Sequence, residues 1–276
     1  KQCDLAGVLS PFHRHTVDTT EIPNVFRTTP NSKRFVERKD ATFEIGFVDA
    51  TVAKLVAETR ILDSWRVLGL SLAHGSEGIS KAIKALSKTY DEIVLVDVGG
   101  DCFYRGPKDA HVLSPMFDAM VVRGFVDSGV SGMLFEAGPG TDGELEPEAL
   151  EAALEATEAE AYPMDVASIA RWHELYEKWV APVRQGRTVP MTIKAFTSLK
   201  ETLTLEYRAR AHFGKKRLYA GFSQRIKTSL CRHFFLLDPK KIKNPFAVRC
   251  ENVFDWFVDT QVAQQQTNCE ANLEYL

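Results

Sequence analysis

Residues 92–101 contain the feature that most constrains the fold, an apolar run that ends in an aspartate and a Gly-Gly-Asp turn. Its core, Ile-Val-Leu-Val-Asp-Val, predicts a strand buried on both faces, as in the parallel sheets of α/β proteins. Gly99 and Gly100 leave no side chains at the carboxyl end of this strand. Open α/β sheets bind their ligands at that end. The segment therefore predicts where a ligand site lies.

The neighbouring elements predict an α/β fold. A strand at 67–72, a helix at 79–90 and the strand ending at Asp97 predict a β-α-β unit with parallel strands and a right-handed connection. A helix that begins at Ser114-Pro115 comes next, and a buried strand at 131–136 follows it. We therefore predict a three-layer α/β sandwich around a mostly parallel, Rossmann-like sheet.

The carboxyl-terminal half is predicted to be richer in helix. Helical patterns cover 165–179, 198–213 and 253–265, and apolar runs at 217–222 and 232–237 predict strands. The polar segment at 10–40 is long for a structureless connection, so it is either functional or partly ordered. Because neither a repeat nor a linker divides the chain, we predict one α/β domain over residues 1–276. The alternative is a Rossmann-like core at 1–160 and a helix-rich part at 161–276 that completes the sheet.

Two glycine-rich loops at predicted strand ends carry carboxylates, Asp97 and Asp101 at the first and Asp142 and Glu144 at the second. If the two strands are neighbours, these side chains meet at the carboxyl edge of the sheet. Clustered carboxylates bind Mg²⁺ together with substrate phosphates, act as a general acid-base pair, or hold sugar hydroxyls. The alternative is that Asp97 and Asp101 cap backbone amides while the glycines shape tight turns. Two corresponding loops favour a ligand site, and the four carboxylates are the catalytic candidates.

Other motifs carry weaker signals. The sequence holds neither a P-loop nor a dinucleotide fingerprint, and the two glycines at 75–78 are typical of an ordinary turn. His13 and His15 would share one face of an extended segment, but two histidines without a third ligand are more often surface residues. Cys102 is the one thiol near the predicted site, and we interpret it as a small buried filler rather than a nucleophile. No residue is assigned as a dedicated metal ligand.

Charge is unevenly distributed along the chain, although the formal net charge is only −3. Residues 136–160 hold nine acidic residues and no Lys or Arg, whereas residues 184–249 hold sixteen Lys and Arg against three acidic residues. The basic segment either attracts phosphates, nucleic acid or an acidic partner, or it faces the acidic segment within the same fold or is simply solvated. We favour the second interpretation because charge runs are common on surfaces, and the lack of stacking motifs argues against nucleic acid.

Composition predicts an ordinary globular chain, with 45% hydrophobic and 26% charged residues. No apolar run approaches the roughly 20 residues of a membrane-spanning helix. The five cysteines are odd in number and form no C-x-x-C pair, which fits reduced thiols rather than a disulfide framework. We therefore expect a cytoplasmic protein without membrane contacts, and the sequence leaves a homo-oligomer open.

Several motifs resemble those of a family catalogued as a domain of unknown function (number 1152). Residues 96–101, with Ser114-Pro115 and Asp118 beyond them, resemble its central motif, residues 138–145 its second motif, and residues 267–275 its acidic-tyrosine tail. Members of that family open with a strand and a glycine run followed by aspartate, which has no counterpart here. A further ligand-binding element is therefore expected before Lys1. The resemblance implies the fold and the site location but no reaction.

The motifs and the resemblance together give a set of ligand-binding candidates around the two loops: Gly99, Gly100, Ser114, Asp118, Gly138, Gly140, Thr141 and Gly143. The first functional hypothesis is a small-molecule enzyme that binds a phosphorylated or nucleotide-like ligand at the carboxyl edge of the sheet. Its reaction class would be transfer or hydrolysis, with Mg²⁺ as the candidate cofactor. The second hypothesis is a non-catalytic protein whose basic segment at 184–249 contacts nucleic acid or an acidic partner.

Overall fold

The computed structural model describes residues 3–9, 14–38, 41–45, 47–59, 65–105, 115–182, 188–208, 212–213, 216–217 and 220–243. Within these ranges the strands are β1 (Leu5–Leu9), β2 (Arg14–Thr16), β3 (Asp18–Thr19), β4 (Val25–Thr28), β5 (Lys33–Arg38), β6 (Ala41–Ile45), β7 (Val67–Ser71), β8 (Leu95–Val98), β9 (Leu134–Ala137), β10 (Glu160–Pro163), β11 (Thr202–Arg208), β12 (His212–Phe213), β13 (Lys216–Arg217), β14 (Ala220–Lys227) and β15 (His233–Leu237). The helices are α1 (Val48–Thr59), α2 (Gly75–Leu86), α3 (Pro115–Ser128), α4 (Pro147–Ala156), α5 (Val166–Leu175) and α6 (Thr188–Thr197).

Two four-stranded sheets form the framework. The first has the order β1-β7-β4-β3, in which β7 runs parallel to β1 and antiparallel to β4. The second has the order β10-β15-β9-β8, in which β8 and β9 are parallel and β15 is antiparallel to both β9 and β10. Smaller antiparallel sheets are formed by β2-β5-β6, β11-β14 and β12-β13.

The structure confirms a mixed α/β fold but not a mostly parallel, Rossmann-like sandwich. Among the strand pairs that the structure describes, only β1–β7 and β8–β9 are parallel. The predicted β-α-β unit is wrong, because β7 and β8 belong to different sheets. The physical reason lies in the polar segment at 10–40. Its described part, residues 14–38, contains strands β2 to β5, and β4 occupies the edge of β7 that a parallel β8 would need.

The prediction of a strand buried on both faces at residues 92–98 is also wrong. In the described part of the chain, β8 lies at the edge of its sheet, and Val96 is 70% exposed. Because neighbouring side chains of a strand point to opposite faces, Asp97 lies on the face opposite to Val96. The strand therefore exposes an apolar residue to solvent and directs a carboxylate inward.

The main hydrophobic core extends over residues of both four-stranded sheets and of α2, α3 and α4, and three smaller clusters accompany it in the described residues. The inward face of α2 carries Ile79 and Ile83, and that of α3 carries Met120 and Phe125, all of them fully buried. The two helices pack closely, since a Cβ added at Gly124 would lie 2.6 Å from Ile79 Cβ. Of the described helices, none is long and apolar enough to cross a membrane.

The carboxyl-terminal half contains more strand than predicted. The helix expected at 198–213 is absent, because Thr202–Arg208 forms β11 and pairs with β14. The alternating Thr-Leu-Thr-Leu pattern has the period of a strand rather than of a helix. The helix predicted at 165–179 is α5, followed by a π-helical turn at Tyr176–Val180. The predicted strands correspond to β14 in part and to β15, and the helix predicted at 253–265 lies outside the described residues.

Asp4 anchors β1 to neighbouring elements through what we call the Asp4 network. Its carboxylate accepts hydrogen bonds from Arg66 N and Arg66 Nε, both at 2.8 Å, and from the hydroxyl of Tyr90. Desolvation alone would raise the pKa of Asp4, but the hydrogen bonds from Tyr90 and Arg66 and the Arg66 charge outweigh it and lower the pKa. The described cysteines, Cys3, Cys102 and Cys231, are not in disulfides.

Candidate functional site

The parallel pair β8–β9 positions the two predicted loops side by side. In its register Asp97 lies opposite Glu136 and Val98 opposite Ala137. Gly99 N donates a hydrogen bond to Ala137 O at 3.1 Å, and Gly140 N donates one to Gly99 O at 2.6 Å. The condition on which the predicted site depended, that the two strands are neighbours, is therefore met.

The loop glycines adopt conformations that other residues rarely adopt. Gly99, Gly100, Gly138, Gly140 and Gly143 all have positive φ, from +61° to +122°. A Cβ at Gly99 would also lie 2.8 Å from Asp142 Oδ2, and one at Gly138 would lie 2.5 Å from Thr192 Oγ1. Glycine is therefore required at these positions by the backbone conformation and by neighbouring protein atoms, as the tight-turn interpretation expects. A role for the glycines in ligand binding stays a prediction.

Six side chains at this edge form two groups of three potential cation ligands. In the first group, the oxygen triad, one carboxylate oxygen each of Asp101, Asp142 and Glu144 lies within 4.8 Å of the others. In the second group, the thiol triad, ligand atoms of Asp97, Cys102 and Glu136 lie equally close together. The four predicted catalytic carboxylates are thus divided between the two triads, three in the first and Asp97 in the second.

Backbone hydrogen bonds hold two of these carboxylates in place. Asp142 Oδ1 accepts from Glu144 N at 2.9 Å, which closes the loop that carries both residues. Asp97 Oδ1 accepts from Val98 N at 2.8 Å and Asp97 Oδ2 from Cys102 N at 3.4 Å. The capping role considered for Asp97 is therefore present, and it orients the carboxylate beside Cys102 without using all its lone pairs.

Two members of the cluster have buried oxygens without hydrogen-bond donors. Glu136 has an exposed fraction of 0%, and neither of its oxygens accepts a hydrogen bond from a described group. Asp142 is 7% exposed, and its Oδ2 is buried without a donor in the same part of the chain. The polar side-chain contacts of these two groups are with other carboxyl groups, Glu136 with Asp97 and Asp142 with Asp101, so both are unfavourable when ionised. Each triad therefore contains one carboxylate that needs either a proton or a cation.

The electrostatics of the cluster lead to the same conclusion. Burial raises the pKa of Glu136 well above its usual value, and the charge of Asp97 raises it further. Burial also raises the pKa of Asp142, with the charge of Asp101 as the next cause. The pKa of Asp101 is raised chiefly by burial. In the absence of a cation, these groups keep their protons to a higher pH than ordinary carboxyl groups do.

The remaining predicted ligand-binding residues differ in their surroundings. Asp118, in the first turn of α3, is in neither triad but lies within electrostatic reach of them, since burial and the charges of Asp101 and Asp97 raise its pKa well above the usual value. The hydroxyl of Thr141 is buried, donates to Gly138 O at 2.7 Å and lies 2.8 Å from Thr192 Oγ1, which makes it an internal anchor between the loop and α6. Ser114 lies outside the described residues.

A comparison with protein families agrees with the motif resemblance. A family model described as protein of unknown function (DUF1152) matches residues 19–204, about two thirds of the 276 residues. The chain belongs to this family. Both triads lie within the matched range, whereas the acidic-tyrosine tail at 267–275 lies outside it. No curated protein and no solved structure matches the chain. The glycine run expected before Lys1 stays a prediction.

Within this DUF1152 region, Glu136 belongs to the carboxylate cluster but was not among the predicted site residues. Glu136 is the one charged residue of β9, a strand that was predicted to be buried, and a charge at such a position is itself a signal of function. Cys102, interpreted from the sequence as a small buried filler, lies in the hydrophobic core at 1% exposure. Its closeness to Asp97 and Glu136 depends on a strand register that a single sequence does not reveal.

The basic segment makes ion pairs with the acidic segment, as the in-fold interpretation predicts. Arg225 Nη2 lies 2.8 Å from Glu148 Oε1, and Lys227 Nζ lies 2.5 Å from Glu151 Oε1. A third pair joins Lys241 and Glu158. The first two pairs lie between α4 and β14, and all three engage part of the positive charge within the chain.

Proposed function

We propose that this member of the DUF1152 family is a cation-dependent enzyme that transfers or hydrolyses a group on a phosphorylated or nucleotide-like small molecule. The observation that carries this proposal is the oxygen triad of Asp101, Asp142 and Glu144, in which Asp142 Oδ2 is buried without a donor. A set of carboxylate oxygens is the ligand type that Mg²⁺ prefers. A cation at this point would satisfy the buried oxygen and offset the mutual repulsion of the three carboxylates.

The exposure of the cluster suggests the side from which a ligand enters. Asp142 and Glu144 are buried, whereas Asp101 and Asp118 are partly exposed. Asp142 and Glu144 would therefore hold the cation on its buried side, and a phosphate would approach from the partly exposed side, where Asp101 and Asp118 lie. This arrangement suits Mg²⁺, which usually combines one or two protein carboxylates with substrate phosphates.

The side chains would have distinct tasks in such a reaction. Bound Mg²⁺ would neutralise charge on the phosphate and polarise the bond to be broken. Asp101, Asp142 and Glu144 would hold and orient the cation. Asp118 keeps its proton to a higher pH than an ordinary aspartate, so it can donate a hydrogen bond to a phosphate or sugar oxygen that an ionised carboxylate would repel.

Thermal unfolding with Mg²⁺ or Mn²⁺, alone and with nucleoside diphosphates, nucleoside triphosphates or sugar phosphates, tests the proposal. The cation alone should raise Tm, and at 100 times its Kd it adds about 2.7 kcal/mol to the free energy of unfolding. One class of phosphorylated ligand should raise Tm further, and only in the presence of the cation. Products of transfer or hydrolysis are then sought with that class by ³¹P NMR.

Two conservative variants sharpen this test. Asp142→Asn keeps the Oδ1 acceptor but removes a cation ligand, so the response to Mg²⁺ should be lost. Asp91→Asn removes the same charge at an exposed position and should respond like the wild type. The proposal is wrong if millimolar Mg²⁺ and Mn²⁺ leave the wild-type Tm unchanged, or if Asp142→Asn responds as the wild type does.

A further inference from the structure

We propose that the thiol triad of Asp97, Cys102 and Glu136 is a second cation site, and that it binds a thiophilic transition-metal ion of the Zn²⁺ type rather than Mg²⁺. This site goes beyond the enzyme function proposed above and does not depend on it. It assigns a role to Glu136 and Cys102, the buried glutamate and the thiol that are not part of the oxygen triad.

The backbone brings the three ligands together on rigid elements. Asp97 and Glu136 are register partners on the parallel strands β8 and β9. Cys102 lies in the 3₁₀ turn Asp101–Phe103 that follows the two glycines, and its N–H donates to Asp97 Oδ2 at 3.4 Å. One ligand atom from each residue lies within 4.8 Å of the other two. A tetrahedral Zn²⁺ holds its ligand atoms about 3.3–3.8 Å apart, so an ion would draw these atoms together by no more than about 1.5 Å.

The second, independent observation is the state of Glu136. Its side chain is completely buried in the thiol triad, and neither oxygen receives a hydrogen bond from the described residues. Its polar contact is with the carboxyl group of Asp97. Two carboxyl groups form a hydrogen bond only when one of them holds a proton. A cation between Glu136, Asp97 and Cys102 would satisfy both carboxylates at once.

The donor chemistry distinguishes the two triads. A thiolate is a soft ligand that selects Zn²⁺ and related transition metals, whereas Mg²⁺ prefers oxygen ligands and retains water. The thiol must lose its proton on binding, and metal coordination achieves this even where burial and the charges of Asp97 and Glu136 raise the thiol pKa. Three protein ligands with a fourth position for water or substrate is the pattern of catalytic rather than structural zinc sites.

Co²⁺ is the probe for this site, because its complexes with thiolates have a charge-transfer absorption in the near ultraviolet. The full chain is stripped with a chelator and titrated with Co²⁺. We expect one Co²⁺ to produce this band, one equivalent of Zn²⁺ to abolish it, and millimolar Mg²⁺ to leave it unchanged. Cys102→Ser should lose the band. Cys231→Ser, which alters the other buried thiol near the cluster, should keep it.

Glu136→Gln covers the case in which Cys102→Ser fails to fold. This variant keeps the thiol but removes a carboxylate ligand. Loss of a residue that only orients a metal ligand typically lowers metal affinity 10- to 100-fold, so loss of the ligand itself should lower the affinity for Co²⁺ by at least that factor. The proposal is overturned if wild-type protein gives no band, if the band survives in Cys102→Ser, if Glu136→Gln binds Co²⁺ as the wild type does, or if Mg²⁺ displaces the ion. The last result would mean a single oxygen site.

The two proposals fail separately in these experiments. A Co²⁺ band that Asp142→Asn retains, in a protein whose Tm does not respond to Mg²⁺, would support the thiol site and refute the oxygen site. A Tm response to Mg²⁺ without a Co²⁺ band would have the opposite meaning, with Asp97 and Glu136 sharing a proton instead of a metal ion.

Discussion

Asp142→Asn should stabilise the protein in the absence of cations, although it removes a residue of the proposed site. Asn retains the Oδ1 acceptor that Glu144 N uses at 2.9 Å, so the loop keeps its hydrogen bond. The change removes the buried oxygen that has no donor and one negative charge of the oxygen triad. In cation-free protein both features are destabilising, and their removal should be visible as a gain in the free energy of unfolding.

The distances in the triad set the scale of that gain. Its carboxylate oxygens lie at most 4.8 Å apart, and two ionised carboxylates at that distance repel each other by about 3.5 kcal/mol at an effective dielectric constant of about 20. Asp142 takes part in two such pairs, so its full ionisation would cost at least about 7 kcal/mol. Protonation limits this cost, since keeping a proton costs about 1.4 kcal/mol for each pH unit above the normal pKa. We expect a net gain of about 2 kcal/mol or more at pH 8.

The pH dependence follows from the raised pKa of Asp142. Between the unfolded and folded pKa values the folded state binds more protons than the unfolded state, so stability falls as the pH rises. The advantage of Asp142→Asn over the wild type should therefore be small at pH 5 and grow towards pH 8. With saturating Mg²⁺ the wild type alone is stabilised, and the difference should shrink or reverse.

Urea unfolding at pH 5 and pH 8, with chelator and with Mg²⁺, measures these differences. Asp91→Asn is the matched control and should track the wild type within about 0.5 kcal/mol at every pH, as exposed surface substitutions do. The reasoning would be refuted if cation-free Asp142→Asn were no more stable than the wild type at pH 8. A gap of constant size between pH 5 and pH 8 would contradict it equally.

Two further predictions concern the backbone and the Asp4 network. Gly99→Ala should abolish the Tm response to Mg²⁺, because its Cβ would lie 2.8 Å from Asp142 Oδ2, whereas Gly129→Ala, also at positive φ but with nothing within 4 Å of the Cβ, should cost about 1 kcal/mol and keep the response. Equal Mg²⁺ responses in the two variants would count against this packing argument. Asp4→Asn should cost about 1–2 kcal/mol at pH 6. Because the pKa of Asp4 is lowered in the folded protein, its stabilising effect is present above the ordinary pKa and is lost as the pH falls through the folded value. Urea unfolding should therefore show the stability difference between wild type and Asp4→Asn closing towards pH 3. A gap that stayed open there would contradict the assignment.

Local sequence pattern predicted many of the elements near the site. The spacing of Ile79 and Ile83 predicted α2, Ser114-Pro115 marked the start of α3, and the apolar run at 131–136 overlaps β9. These signals are short-range, because helix periodicity, proline at the first turn and β-branched runs act within a few residues. The two loops follow the parallel strands as expected, which is why Asp101, Asp142 and Glu144 meet.

Strand pairing was harder to predict, since it depends on residues far apart in the chain. Nothing near β7 indicates that β4 takes one of its edges, and nothing in residues 92–98 indicates that β8 ends its sheet and exposes Val96. The same limit explains why Glu136 was missed. Its closeness to Asp97 and Cys102 results from the β8–β9 register and a turn beyond it, not from spacing along the chain.

The hydrogen bond from Gly140 N to Gly99 O joins the loops that carry the two triads. A displacement of one loop is therefore transmitted to the other through a short stretch of backbone. Each triad takes ligands from both sides of this bond, so a cation in either triad would cross-link the same two segments of the chain. The bond and the two proposed ions would thus hold one shared loop arrangement and oppose its opening together.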